Sequence, residues 1–148
     1  MNNEQGLTNN DFRSSLRKNM TNSKINKFDL EERLINFAIL IVDICEKMPE
    51  TKASNHLASQ LIRSGTSPAL NYGEAQSGES RRDFIHKIKI VLKELRETFV
   101  CLKIIDRSWL YKFEEIMKNA LNENNELISI FVKSAETAQK NLQVELKT

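Results

Sequence analysis

The sequence predicts an all-α protein: an antiparallel up-down four-helix bundle preceded by a flexible N-terminal tail. Three observations carry this expectation. Apolar residues recur at steps of three and four along four long segments, the spacing of one helix face. Only four Gly and two Pro occur in 148 residues, too few for the many turns of a sandwich or barrel. No segment alternates apolar and polar residues as a half-buried strand does. Forty per cent of the residues are hydrophobic, enough for a core, and the length fits one domain.

Residues 1–26 hold seven Asn. Leu7, Phe12, Leu16, Met20 and Ile25 are too scattered to close a core. They are expected to form a mobile tail with at most a helical turn near Phe12–Met20. The bundle then occupies residues 27–148.

The first helix is expected over about Asp29–Met48. Leu30, Leu34, Phe37, Ile41, Ile44 and Met48 make one apolar face, and Pro49 stops it. Ile35, Ile39 and Val42 make a second stripe, so this helix should be covered on two sides, with surface left for self-association. The second helix spans about Ser54–Glu74, with Leu57, Leu61 and Ile62 opening its buried face. Its Ser64-Gly65-Thr66-Ser67-Pro68 run predicts a kink and lets another helix approach closely.

The third helix begins at Ser80, whose spacing to Asp83 approximates a capping box. Phe84, Ile88, Val91, Leu95, Phe99 and Leu102 carry its period to about Asp106. The fourth runs from about Phe113 to Leu142 through Ile116, Ala120, Leu127, Phe131, Ala135 and Ala138. Trp109 and Tyr111, in the turn before it, are expected to plug the end of the bundle.

Composition excludes several functions. A net charge of +2 gives no polybasic or polyacidic signal. Two Cys cannot make a disulfide scaffold or a four-Cys zinc site, and Cys45 and Cys101 are expected to be buried free thiols. The longest apolar run, Phe37–Val42, is far short of the roughly 20 residues of a membrane span. No signal peptide is visible at the start, so a cytoplasmic location is expected. No Gly-rich phosphate loop or Cys-x-x-Cys pair occurs, and no cofactor is expected. A di-metal carboxylate bundle needs two Glu-x-x-His pairs, whereas only His56 and His86 exist and Asp83-x-x-His86 is a single half-match. No metal site is expected.

Charge is nevertheless unevenly placed. Residues 81–112 hold nine Lys and Arg against four acids. Arg82, His86, Lys89, Lys93, Arg96, Lys103 and Arg107 share one arc of the third helix. Such a row can bind a phosphate backbone, with Arg82, Lys89, Lys93, Arg96 and Lys103 as the contacts. It can also be a solvated face neutralised by acids of the fourth helix or of a neighbouring subunit. The near-neutral chain and the lack of an interleaved aromatic favour the second reading of the stripe taken alone. Asn71, Glu74, Lys87 and Glu94 form a second set, expected to lock helix register as a structural polar network. Arg81 and His86 have the Arg-x(4)-His spacing of certain helical-bundle ribonucleases, where His is a general base and Arg holds the phosphate.

The segment Gln60–Ile105 carries a resemblance. It contains Arg63-Ser64-Gly65-Thr66-Ser67, Asn71-Tyr72-Gly73-Glu74-Ala75-Gln76-Ser77, Glu79-Ser80-Arg81-Arg82-Asp83-Phe84-Ile85-His86-Lys87 and Leu92-Lys93-Glu94-Leu95-Arg96-Glu97-Thr98. It resembles the bacterial four-helix-bundle family first noticed as proteins encoded in intervening sequences of large-subunit ribosomal RNA genes. The resemblance covers residues 28–135 in layout and implies a closed bundle and a homopentameric ring. It also implies kinship with the accessory protein of diversity-generating retroelements, which binds nucleic acid and a reverse transcriptase. Where the family carries a Trp late in the third helix this chain has Cys101, with Trp109 as the candidate replacement.

The function expected is thus a non-catalytic oligomeric adaptor. Its expected partners are copies of itself, with RNA or DNA and a reverse transcriptase as further candidates. A ribonuclease using Arg81 and His86, and a purely structural assembly subunit, are the alternatives.

Overall fold

The computed structural model describes residues 27–148, and the tail expected over 1–26 lies outside the described residues. Four helices follow one another: α1 Lys27–Glu46, α2 Lys52–Gln76, α3 Arg81–Arg107 and α4 Glu114–Lys147. No strand occurs among the described residues. Each helix packs on the next in the chain, and α1 meets α4 least extensively, closing the bundle.

The core is built from the periods the sequence displays. Leu34, Phe37, Ile41 and Ile44 of α1, Leu61 of α2, and Ile88, Val91, Leu95, Leu102 and Ile105 of α3 are fully enclosed. From α4, Met117, Ala120, Leu127 and Phe131 complete it. The Tyr72 and Phe131 rings meet edge to face, 5.5 Å between centroids, and tie α2 to α4.

Helix ends follow local chemistry. Two amides beyond α1 turn back, Lys47 to Ile44 and Met48 to Cys45, so Met48 stays buried although the helix ends at Glu46. Thr51 caps α2 by accepting from the Ser54 amide at 3.2 Å. The helix therefore starts two residues before the expected Ser54. Pro68 lies within α2, yet the helix continues unbroken past the expected kink to Gln76. The side chains around the proline donate to nearby carbonyls, Thr66 to Ile62 at 2.6 Å and Asn71 to Ser67 at 3.0 Å. Ser80 caps α3 through the Asp83 amide at 3.1 Å.

The narrowest seam is at Ser64 and Gly65. A Cβ on Gly65 would stand 2.7 and 2.8 Å from two carbons of Ile41. On the neighbouring face the Ser64 and Thr98 hydroxyl oxygens are 3.0 Å apart, both fully buried. Small residues thus let α2 sit close to α1 on one side and α3 on the other, the close approach the sequence predicts. Asn124 of α4 fastens the remaining side. Its fully buried amide, oriented to satisfy both groups, donates to the Leu95 carbonyl at 2.9 Å and accepts from the Phe99 amide at 3.3 Å.

The α3–α4 connection corrects one expectation. The Leu110 amide bonds the Ile105 carbonyl and the Trp109 amide bonds Asp106, both at 3.2 Å, the pattern of a Schellman stop. Its left-handed position, normally glycine, is Trp109 with φ 56°. An L side chain there costs about 1 kcal/mol or more. This geometry turns the indole outward, 83% exposed, so only Tyr111 plugs the bundle end. Trp109 likewise does not fill in for Cys101. The second stripe of α1 is only partly covered, with Ile35, Ile39 and Val42 all partly exposed. Helix α4 runs five residues beyond the expected Leu142, to Lys147.

Two substitutions test these contacts. Gly65→Ala should lower the melting temperature. A helical Ala ordinarily gains up to about 1 kcal/mol over Gly. Overpacking an enclosed β-branched neighbour costs roughly 1–3 kcal/mol, so the clash wins. Asn124→Leu should cost about 1–3 kcal/mol in urea unfolding, because an enclosed hydrogen-bonding group is replaced at the α3 backbone.

Candidate nucleic-acid interface

Each side of α3 has a distinct task. Its apolar face packs inward through Ile88, Val91, Leu95, Leu102 and Ile105. One flank meets α2. There Lys87 pairs with Glu74, and Arg63 pairs with Glu94 at 3.1 Å and with Glu97. The other flank meets α4, where Arg81 pairs with Glu145 at 2.6 Å. What remains is the outward arc.

That arc holds the cations. Arg82, His86, Lys89, Lys93, Arg96 and Arg107 are exposed, and Lys103 is half-buried. Successive residues advance about 100°, which places this set opposite the apolar face rather than along its edge. Among the described residues no ion pair engages Arg82, Lys89, Lys93, Arg96, Lys103 or Arg107. Lys103 lies across the Phe99 ring, its Nζ 4.6 Å from the centroid. Val100 interrupts the row and is half-exposed, an apolar component that the charge pattern alone hides.

Among the described residues, the expected neutralisation by acids of α4 does not occur. Glu123 and Glu126 of α4 are engaged by Arg33 of α1. Its Nε donates to Glu123 at 2.5 Å and its terminal nitrogen to Glu123 at 3.1 Å and to Glu126. Glu123 is buried and Arg33 partly so, and Glu123 holds the guanidinium above its ordinary pKa. This is the main polar link closing α1 on α4, and sequence periodicity gave no sign of it.

The expected register set divides. Glu74 and Lys87 meet across α2 and α3. Glu94 instead pairs with Arg63, and Asn71 bonds Ser67 within its own helix. The four do not make one network. Register here is held by Glu74 with Lys87 towards one end and, towards the other, by Arg63 with Glu94 and Glu97 beside the Ser64–Thr98 contact.

Arg81 and His86 do not converge. Five helical residues separate them by about 140° around the axis. Arg81 is committed to Glu145 beside a shallow groove lined by Gly78, Glu79, Ser80 and Phe84, and His86 is not part of that lining. No base and phosphate-binding cation face one another there. Among the described residues, no cluster of three His, Cys, Asp or Glu could hold a metal, and no helix is long and apolar enough to cross a membrane.

The thiols flank α2 from both sides. Cys45 Sγ lies 3.5 Å from the Ala58 carbonyl and Cys101 Sγ 3.6 Å from that of Leu57. Burial, with Cys101 and Glu46 nearby, pushes Cys45 from 9.0 up to about 12. Burial and then Glu97 push Cys101 up as well. Both are packing groups rather than thiolate nucleophiles.

Comparison with known proteins gives a consistent picture. Residues 26–133 match the family model described as 23S rRNA-intervening sequence protein. The chain is similar to the crystal structure of a protein with unknown function from the S23 ribosomal protein family of Bacteroides thetaiotaomicron. The two share 28% identity with a TM-score of 0.66, over 72% of this chain and 97% of the other. No curated protein matches the sequence.

The raised thiols have a pH consequence. The fold keeps protons that the unfolded chain releases near pH 9, so their contribution is complete below 9 and fades as pH rises towards 12. Urea titrations should show a shallower loss of stability from pH 9 to 12 in a Cys45→Ala, Cys101→Ala variant than in the parent chain. Equal slopes would mean the thiols ionise alike in both states.

Proposed function

Because the chain belongs to the 23S rRNA-intervening sequence protein family, we propose that it is a non-catalytic adaptor that binds nucleic acid along α3. The observation supporting this is the outward arc. Arg82, Lys89, Lys93 and Arg96 project from one rigid helix without acid partners among the described residues, and Lys103 extends the row over Phe99. A 27-residue helix is about 40 Å long, so these cations can follow several consecutive phosphates. Each phosphate neutralised releases counterions, which supplies affinity without sequence reading. An enzyme that works on nucleic acid, such as a reverse transcriptase, can share the same strand. The partly exposed α1 stripe of Ile35, Ile39 and Val42 supports assembly with further copies, in the five-membered ring the family resemblance implies. Such a ring repeats the α3 arc around its circumference.

Fluorescence anisotropy with labelled RNA and DNA oligonucleotides tests the reading. Binding should weaken steeply with salt, with a log–log slope of about −0.7 per phosphate contacted on single strands. Replacing Arg82, Lys89, Lys93 and Arg96 together by Glu should remove most of that slope while the melting temperature holds, since all four are exposed. No affinity at low salt, or affinity indifferent to these four charges, rules out the arc as the interface.

A further inference from the structure

We infer that Trp109 and the cations around it form a stacking platform for unpaired bases, so that the nucleic acid taken by this protein is single-stranded. The inference rests on the α3 reading for its polyanion and adds the class of strand.

The backbone supplies the first reason. Trp109 occupies the left-handed position of the turn that ends α3, φ 56°, where glycine is the unstrained choice. The side chain recovers none of that cost by packing, because it is 83% exposed. The neighbouring residues do the structural work. Leu110 packs against the core and Tyr111 is buried, so the turn needs no indole for closure. A strained backbone that holds the largest aromatic side chain in water is unexplained by folding alone.

The surroundings supply the second reason. Arg107, the last cation of the α3 arc, is two residues before Trp109, and Lys112 is three after it. Residues 103–113 carry Lys103, Arg107 and Lys112 against Asp106 alone, with Glu114 and Glu115 beyond them on the first turn of α4. A second partly exposed aromatic stands at this end of the bundle. Phe113 has Lys112 Nζ 5.3 Å and Lys47 Nζ 5.5 Å from its ring centroid. Exposed rings beside cations are what a single strand requires: π-faces for its bases and positive charge for its phosphates. A duplex keeps its base faces stacked inside and gains only from the charges. An acidic peptide likewise uses the cations and leaves the indole idle.

Trp109 is the single Trp of the chain, so its emission reports this position alone. Oligo-uridine and oligo-thymidine strands, added to the full chain at low salt, should quench and shift that emission. A duplex of equal charge and polyglutamate should not. Trp109→Gly should weaken single-strand binding roughly 5- to 150-fold, the range for losing one stacked base. Duplex affinity should stay unchanged, Trp109→Phe should retain most single-strand binding, and the Gly variant should melt no lower than the parent. Intact single-strand binding with unaltered emission, equal affinity of the Gly variant, or equal quenching by duplex or polyglutamate would overturn the stacking platform and leave the α3 arc standing. Absence of any oligonucleotide binding overturns both.

Discussion

The width of α2 at Ser64 and Gly65 sets the spacing of the whole bundle. Gly65 has no side chain because Ile41 of α1 fills that space, its carbons 2.7 and 2.8 Å from where a Cβ would be. Ser64 has a short one because Thr98 of α3 comes within 3.0 Å of its hydroxyl. A larger residue at either position would push one neighbour out and open voids along helices twenty or more residues long. Interiors packed to crystal density do not absorb such a shift cheaply. The same seam aligns α2 with α3. Arg63, next to Ser64, then reaches Glu94 and Glu97, and about three turns further along α2 Glu74 reaches Lys87.

Those alignments decide where charge is left over. The protein is close to neutral, yet six of its acids are drawn into pairs between helices. Glu94, Glu97, Glu74, Glu123, Glu126 and Glu145 all engage cations on other helices. The cations they take are Arg33, Arg63, Arg81 and Lys87, none of which belongs to the outward arc of α3. The arc therefore keeps its charge although the chain as a whole has little. Net charge describes solubility and average field, whereas an interface depends on which pairs the packing consumes.

The helices and much of the arc were legible in the sequence. Period, Ser80, Pro49 and the small Ser64-Gly65 pair are local signals, and each matches a local feature of the fold. The α1–α4 ion pair of Arg33 with Glu123 was not legible, because 90 residues separate partners that only the closed bundle brings together. Asn124 carries no local signal that sets it apart from the other Asn residues of α4. Its grip on the α3 backbone exists only because α4 lies in one register against Leu95 and Phe99. Trp109 was misread for a related reason. An aromatic near a bundle end reads as a plug, but the hydrogen bonds that stop α3 put this residue in a left-handed conformation and turn it outward.

The sequence alone determined that four amphipathic rods would form, where most of them would begin, and that cations would share one side of the third. Helical pitch is intrinsic to the chain, so faces and caps are written in spacings of three and four residues. The tertiary structure decided which cations would remain unpaired among the described residues, that the second stripe of α1 would stay partly exposed, and that an indole would stand in water. These depend on helix register and crossing, which arise from the fit of surfaces far apart in the chain and have no local spacing to announce them.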